Sequence, residues 1–164
     1  MVADTHLPRF GRGLPVALST GLRDAGVELI LHLGDFTGPE IPDLFEALAP
    51  LEAVAGNNDS PALRRRFGQR KVVRVAGVRV GLLHGDGRGG TTQIRSVANF
   101  TADEVDVVCF GHSHRPLCER HGGIWLVNPG SPTDKRTQPR YSFAILEIDR
   151  GRIRPRLVFF DDRR

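Results

Sequence analysis

The sequence is poor in cysteine and has no long apolar segment. It contains two cysteines, Cys109 in an apolar run and Cys118 in a predicted strand, and neither has the spacing of a thiolate metal site. We expect both to be reduced side chains that pack in the fold. No apolar run is long enough to cross a bilayer and no signal peptide is evident, so we expect a cytoplasmic protein without a membrane partner.

The distribution of charge and the absence of repeats limit the expected partners and the number of domains. The formal net charge is +4 and nearly all of the basic residues are arginines, but no arginine cluster alternates with aromatic residues. The longest basic run, Arg64-Arg65-Arg66, falls where the exposed face of a helix is expected. Nucleic acid is therefore not the expected partner. The 164 residues contain no repeat and no low-complexity linker, which predicts one domain over residues 1–164.

The apolar patterns predict a mixed α/β fold. In the first half, apolar runs alternate with helical patterns, which is typical of parallel strands joined by helices. In the second half, paired apolar runs flank short turns and predict antiparallel strands. Two mixed sheets with helices outside fit this order better than one doubly wound sheet. Predicted helices cover residues 15–25 and 42–48, and predicted strands cover 27–33, 51–55, 71–75, 78–83, 105–110, 116–120, 124–127, 142–148 and 153–160.

Five short polar motifs each follow a strand-like run. In open α/β sheets the carboxyl ends of the strands form the crevice in which ligands bind, so motifs that are distant in sequence can converge there. The last four motifs contain a glycine, which permits a sharp turn. The motifs are Asp4-Thr5-His6, Gly34-Asp35, Gly56-Asn57-Asn58-Asp59, His84-Gly85-Asp86 and Gly111-His112-Ser113-His114.

The side chains in these motifs suit divalent transition metals. Imidazole, carboxylate and amide ligands together favour borderline ions such as manganese, iron, zinc, cobalt or nickel. The Asp-x-His and His-x-His spacings place two donors on one side of an extended segment, and a carboxylate such as Asp35 can bridge two ions. Asp-x-His alone is common by chance, and Gly-Asp and Gly-Asn-Asn-Asp are ordinary turn sequences. Two histidines at the end of a buried strand have little packing reason, and all five motifs in order favour a metal site. His32 is interpreted as a core residue or one that orients a ligand, and His121 as a turn residue.

Together with Asn128-Pro129-Gly130-Ser131, the ordered motifs resemble the calcineurin-like metallophosphoesterase superfamily, most closely its small bacterial and archaeal phosphodiesterases. The resemblance covers nearly the whole chain. It implies a four-layer α/β/β/α sandwich of two mixed β-sheets flanked by helices, with the site at one end of the sheets. It also implies a dinuclear centre in which Asp35 bridges the ions. One ion would be held by Asp4, His6 and His114, and the other by Asn57, His84 and His112.

The resemblance implies hydrolysis of phosphodiester bonds in a small phosphodiester or other phosphorylated substrate, by attack of a metal-bridging hydroxide. Manganese is the leading expectation, with nickel, iron, zinc or cobalt as alternatives. Asp35 would set the spacing of the ions, Asn57 could donate its amide hydrogens to the phosphoryl group, and Asp59 is one candidate proton source. A monoester substrate and an oligomeric state stay open. The alternative is a non-catalytic scaffold, because the same fold serves in the retromer coat as a small protein-binding subunit.

Three features depart from the family pattern. Only Met1-Val2-Ala3 precedes Asp4, so we expect a short first strand. Many small relatives have His-Gly-His where this chain has His84-Gly85-Asp86, and Asp86 is interpreted either as an extra ligand or as an acceptor that orients one. Asn58 occupies the position at which larger phosphatases carry a histidine that protonates the leaving group. Because asparagine is not an acid, leaving groups of high pKa should react slowly.

Overall fold

Helices and strands alternate up to residue 67, and strands dominate the remainder of the chain. A computed structural model describes residues 1–163. Its helices are α1 (Val16–Asp24), α2 (Ile41–Glu46), α3 (Pro61–Phe67) and α4 (Thr92–Ala98). Its strands are β1 (Ile30–Leu33), β2 (Leu51–Val54), β3 (Arg70–Val75), β4 (Val78–Leu83), β5 (Val107–Cys109), β6 (Leu117–His121), β7 (Ile124–Asn128), β8 (Tyr141–Asp149) and β9 (Arg152–Phe160).

Residues 1–3 lie in the middle of the first sheet. β1 and β2 pair in parallel, and the Val2 N–H donates to the Leu31 carbonyl of β1 at 2.9 Å. On the other side, the Ala144 N–H of β8 donates to the Met1 carbonyl at 3.0 Å. The antiparallel pair of β8 and β9 is thereby joined to β1. Where the sequence predicts a short first strand, the structure has a single parallel β-bridge between Val2 and His32.

The second sheet contains five strands in the order β3-β4-β5-β7-β6. Its inner neighbours β4, β5 and β7 are parallel, whereas the outer pairs β3-β4 and β6-β7 are antiparallel. Ala76 and Gly77 form the turn between β3 and β4 with φ angles of 47° and 83°, which matches the hairpin predicted there. The sheet is therefore mixed, as expected.

Three apolar clusters fill the spaces between four layers. The first cluster packs α1, α2 and α3 against β1 and β2, and it includes Leu22, Phe45 and Phe67. The second cluster lies between the two sheets, and the third packs α4 and the segment after it against the outer face of the second sheet. Neighbouring residues of β5 face opposite clusters, since Cys109 belongs to the second and Val108 to the third. The α/β/β/α order of layers is confirmed.

The start of β1 differs from the prediction for a local reason. α1 ends in a turn in which the N–H groups of Gly26 and Val27 donate to the carbonyls of Arg23 and Leu22, at 2.9 and 3.3 Å. Gly26 has a φ of 57°, which this helix ending requires. Because Val27 closes the helix, the strand begins at Ile30 and not at residue 27.

The helix α4 is not predicted by the sequence pattern. It buries only Ser96, and its Ile94 is 62% exposed, so no apolar periodicity marks it. A polar cap begins the helix instead, because the Thr91 hydroxyl accepts the Ile94 N–H at 3.2 Å. This cap places the helix directly after the glycine-rich loop that follows His84.

Both cysteines are free thiols, as expected. Cys109 is fully buried between the sheets, and burial raises the pKa of its thiol to about 12. Cys118 is partly exposed on β6. In the part of the chain that the structure describes, no helix has the length and apolar character to cross a membrane.

Candidate metal centre

The ends of the strands bring the five polar motifs to one edge of the two sheets. The Asp4 N–H donates to the Gly34 carbonyl, and the Gly111 N–H donates to the His84 carbonyl, both at 3.0 Å. The two pairs are connected, since the His112 N–H donates to Asp4 Oδ1 at 3.1 Å. Asp4 and His112 therefore share one site although 108 residues separate them in sequence.

Five residues of these motifs have backbones in the left-handed region. Their φ angles are 55° at Asp4, 45° at His6, 60° at Asp35, 65° at His112 and 57° at His114. Each such angle costs roughly 1–2 kcal/mol for a residue with a side chain. The hydrogen bonds between the loops offset this cost. Strain that is concentrated in one place is typical of functional sites.

One group of potential ligands consists of Asp4, His6 and His114, all buried, with ligand atoms within 4.8 Å of one another. His6 Nε2 lies 3.2 Å from His114 Nε2, which lies 3.5 Å from Asp4 Oδ1. The Asp134 carbonyl accepts the Nδ1–H of His114, so His114 Nε2 presents a lone pair to the group. Burial lowers the pKa of His6, and it lowers the pKa of His114 to about 4. Both imidazoles are therefore neutral at pH 7, the form that binds metal.

The second group shares Asp4 and adds Asp35 and His84. His84 Nε2 lies 3.3 Å from Asp35 Oδ2 and 3.9 Å from Asp4 Oδ1. His84 Nδ1 lies 2.7 Å from the Leu33 carbonyl, which accepts its hydrogen and fixes the ring. Burial acts to lower the pKa of His84, but the bond to Asp35 and the charge of Asp4 outweigh it and raise the pKa to about 9. Without metal, this ring is therefore an imidazolium at pH 7.

Asn57 and His112 extend the second group towards solvent. Asn57 Oδ1 lies 3.1 Å from both His84 Nε2 and His112 Nδ1. Asp35 connects the two groups, since its Oδ2 is 3.6 Å from His6 Nε2 and 3.3 Å from His84 Nε2. The structure thus brings together all seven residues that the sequence singled out as ligands, with Asp35 between the two sets.

One oxygen of Asp4 shows that the cluster suits a cation. Asp4 is fully buried, and its Oδ2 has no hydrogen-bond partner within residues 1–163. Burial, with a contribution from the charge of Asp35, raises the pKa of Asp4 to about 7. A buried carboxylate oxygen without a partner costs about 1–3 kcal/mol or more. A divalent cation among these carboxylate, imidazole and amide donors would remove that cost.

Asn58 holds the carboxylate of Asp35, a role that the sequence analysis missed. Its backbone N–H donates to Asp35 Oδ1 at 2.8 Å, and its side-chain amide donates to Oδ2 at 2.7 Å. Burial acts to raise the pKa of Asp35, but the bonds from His84 and Asn58 outweigh it and hold that pKa below its usual range. Asp35 is therefore ionised at pH 7.

Asp59 lies beneath the centre and binds backbone groups. Its Oδ2 accepts the N–H groups of Asp35 and Gly56 at 2.9 and 2.7 Å, and its Oδ1 accepts that of Thr37 at 2.8 Å. Gly56 is required here, because a Cβ would lie 2.2 Å from Asp35 Oδ1. With both oxygens accepting backbone N–H groups, Asp59 holds the loops that carry Asp35 and Gly56. Its role as a proton source stays a prediction.

The loop after β7 supports the site from behind. The Asn128 side-chain amide donates to the Gly111 carbonyl at 2.9 Å. The Ser131 hydroxyl donates to the Asp4 carbonyl at 2.8 Å, and the Thr133 hydroxyl donates to the Thr5 carbonyl at 2.6 Å. The Asn128-Pro129-Gly130-Ser131 motif therefore fixes the backbones that carry Asp4 and the two histidines after β5.

Three further residues lie outside both groups. His32 is fully buried, its Nε2 is 3.3 Å from the Thr5 hydroxyl, and its ring stacks on Phe36 with centroids 3.6 Å apart. This is a core position directly behind a ligand loop, as expected. His121 is at the exposed end of β6. Asp86 is exposed, and its charge acts on His112, whose pKa burial lowers overall.

A family model of the calcineurin-like phosphoesterase superfamily domain matches residues 1–151. The protein belongs to this superfamily of metal-dependent phosphoesterases. A probable metallophosphoesterase from Methanothermobacter thermautotrophicus is 39% identical to this chain over 156 residues, which cover 91% of this chain and 84% of that protein.

Two solved structures share the fold. Wild-type Vps29 from Entamoeba histolytica in complex with Zn²⁺ superposes with a TM-score of 0.73 at 23% identity, covering 98% of this chain and 97% of that one. An archaeal phosphodiesterase superposes with a TM-score of 0.72 at 23% identity, covering 96% of this chain and 97% of that one. At this level of identity the two structures establish the fold alone.

Proposed function

We propose that the protein is a dinuclear metal-dependent phosphodiesterase that hydrolyses a small phosphodiester in the cytoplasm, with manganese as its preferred metal. The observation that carries the proposal is the buried and unpartnered Oδ2 of Asp4 at the junction of two ligand groups. A buried carboxylate oxygen has no structural reason to lack a hydrogen bond unless a cation completes it.

Six of the seven side chains divide into two sets of three, and Asp35 lies between the sets. Asp4, His6 and His114 would hold one ion, and Asn57, His84 and His112 the other. Two ions bound there would lower the pKa of a bound water and neutralise charge on the phosphate. The chain's own contribution is a fixed geometry, because Asn58 and Asp59 orient Asp35 and the carbonyls of Leu33 and Asp134 orient two of the imidazoles.

The position and charge of Arg136 favour an anionic substrate. Its guanidinium is half exposed and lies near the site, with Nη1 3.5 Å from the His112 carbonyl. Burial is the main cause of the lowered pKa values of His6 and His114, and the charge of Arg136 adds to that lowering. At Asp4 the same charge opposes the rise in pKa that burial produces. The same positive potential at the mouth of the site would attract a phosphate group.

A scaffold without catalysis is the second candidate, because the fold is shared with Vps29. The two candidates make different predictions for the purified protein. A scaffold can bind metal without turnover, whereas the enzyme requires both. Retention of seven donor side chains around a strained backbone favours the enzyme, since a pure scaffold has no use for that strain.

The test begins with elemental analysis of the purified protein, followed by assays after reconstitution with manganese, nickel, iron, zinc or cobalt. Substrates should include aryl phosphodiesters, aryl phosphomonoesters and cyclic nucleotides. We expect two metal ions per chain and fastest turnover of the aryl diesters with manganese. Asp35→Ala should abolish both metal binding and turnover, whereas the exposed Asp24→Ala should change neither. An active Asp35→Ala protein, or a fully metal-loaded wild type without turnover, would refute the proposal.

A further inference from the structure

A cavity of about 450 Å³ lies beside the metal centre. Its walls come from the segment that begins α4 and from the loop after β5, where Ser113 stands between His112 and His114. Arg95, another lining residue, donates to the carbonyl of Gly85, the residue after His84, at 3.2 and 3.0 Å. The cavity is thus bounded by both loops that carry ligands of the second ion.

The lining of this cavity is positively charged. Arg95 and Arg115 line it, and no aspartate or glutamate does. Arg95 donates to the carbonyls of Gly85, Gly89 and Gly90, which are neutral acceptors, so its charge is not cancelled by a carboxylate. Arg115 is exposed, and none of the ion pairs within residues 1–163 involves its guanidinium. Such a concave surface of one sign attracts anions.

The cavity has room for more than one phosphate group. About 450 Å³ falls within the usual range of pockets for small organic ligands. Phe110, Pro116 and Leu117 supply an apolar part of the lining, and Thr91, Thr92 and Ser113 supply hydroxyl groups. Apolar surface with a few polar groups is the usual composition of a site for an organic molecule.

We propose that this cavity binds a substituent of the scissile phosphodiester, and that the preferred substituent carries its own negative charge, as the sugar of a phosphorylated nucleotide does. The inference rests on the proposed function, since the scissile phosphate would lie at the metal centre. Arg115 recognises the additional anionic group. Arg95 contributes positive potential while it holds the glycine-rich loop after His84.

Arg115 is the informative residue to change. Its backbone N–H donates to the Ser113 hydroxyl at 3.3 Å, and this bond survives replacement of the side chain. Arg95 is less suitable, because its bonds to Gly85 support the loop of a metal ligand. Arg154, an exposed arginine on β9 that does not line the cavity, is the matched control for the general loss of one positive charge.

The experiment compares two chromogenic diesters that differ in one phosphate: thymidine 5′-(4-nitrophenyl phosphate) with and without a 3′-phosphate. The manganese-reconstituted wild type should show the higher kcat/KM for the 3′-phosphorylated compound. Arg115→Ala should reduce that preference by about tenfold or more, the usual effect of losing a charge-assisted hydrogen bond. Arg115→Ala should lower kcat/KM for the 3′-phosphorylated compound by a clearly larger factor than for the other compound, and Arg154→Ala should alter neither.

A binding measurement separates failure of this inference from failure of the proposed function. Calorimetric titration of the manganese-loaded protein with thymidine 3′,5′-bisphosphate and with thymidine 5′-monophosphate should show tighter binding of the bisphosphate, and Arg115→Ala should remove the difference. If no diester is hydrolysed but this difference is found, the proposed function fails and the anion site stands. Equal affinity of the wild type for both nucleotides, or equal effects of Arg115→Ala and Arg154→Ala, would overturn the inference.

Discussion

Asn58 donates two hydrogen bonds to the carboxylate of Asp35, from its backbone N–H at 2.8 Å and from its side-chain amide at 2.7 Å. The carboxylate that lies between the two ligand groups is therefore held in one orientation before any ion arrives. Replacement of a residue that orients a metal ligand typically weakens metal affinity by about ten- to a hundredfold. Asparagine at this position thus contributes to the site although it is not an acid.

Replacement of Asn58 by alanine should weaken metal binding without unfolding the protein. The backbone bond to Asp35 remains, but loss of the amide bond should raise the dissociation constant for manganese by about tenfold. Because Asn58 is exposed, the free energy of unfolding of the metal-free protein should change by less than about 1 kcal/mol. Competition with a metal-binding dye and thermal unfolding measure the two effects.

Asn99→Ala is the matched control for this change. Asn99 is also exposed and also uses its side-chain amide in a hydrogen bond, to the Arg95 carbonyl at 2.8 Å, at the end of α4. The control should retain the wild-type affinity for manganese. Equal manganese affinities of the Asn58→Ala and wild-type proteins would show that the amide hydrogen bond to Asp35 has no effect on metal binding.

The rate of hydrolysis should depend steeply on the leaving group. The side chain of Asn58 cannot protonate it, and Asp59 is occupied with three backbone N–H groups. For a series of aryl methyl phosphodiesters, log kcat/KM should therefore fall as the pKa of the released phenol rises. Asn58→His should make this dependence shallower even if it lowers the absolute rates. A flat dependence in the wild type would mean that another group supplies the proton.

Metal affinity should rise with pH between about 7 and 9. In the metal-free protein, Asp35 and Asp4 raise the pKa of His84 to about 9 against the effect of burial. An ion can bind this ring only after its proton leaves, so each pH unit below 9 costs about tenfold in affinity for that ion. Titration with manganese at pH 7 and pH 8 measures the difference.

His112→Gln provides the comparison for this pH effect. Burial lowers the pKa of His112, so its ring is already neutral at pH 7 and releases no proton on metal binding. His112→Gln should bind metal more weakly than the wild type but keep the rise of affinity with pH, whereas His84→Gln should lose most of that rise. The same pH dependence in both variants would contradict the assignment of the proton to His84.

The buried strands, and the strand ends that carry the candidate site, could be predicted because local sequence patterns mark both. Strands such as β5 are buried on both faces, so they appear as continuous apolar runs. The polar residues that follow them have few structural reasons to be there. By contrast, α4 is held by the Thr91 cap and has an exposed Ile94, so its sequence lacks the apolar period of a helix.

The roles of residues behind the ligands were not predictable from spacing. Asn58 and Asp59 are neighbours with similar polar side chains, yet one binds the carboxylate of Asp35 and the other binds its backbone. Their directions depend on the left-handed backbone at Asp35 and on the close approach of Gly56, which only the folded loops define. The residue types in the sequence predict the kind of site, whereas the direction in which each side chain points depends on the folded loops.

Asp86→His tests whether the acidic neighbour of the His84 loop is a ligand. Asp86 is exposed and belongs to neither group of potential ligands, and its charge acts on His112. We therefore expect the variant to keep two metal ions per chain. Removal of one exposed negative charge near the mouth of the site should raise kcat/KM for an anionic diester by roughly two- to fivefold at low salt, with a smaller effect at high salt.

Asp24→His, at the end of α1, is the control and should change neither the metal content nor kcat/KM. Loss of one metal ion per chain in Asp86→His would instead identify Asp86 as a ligand, and elemental analysis of the two variants prepared in parallel distinguishes these outcomes.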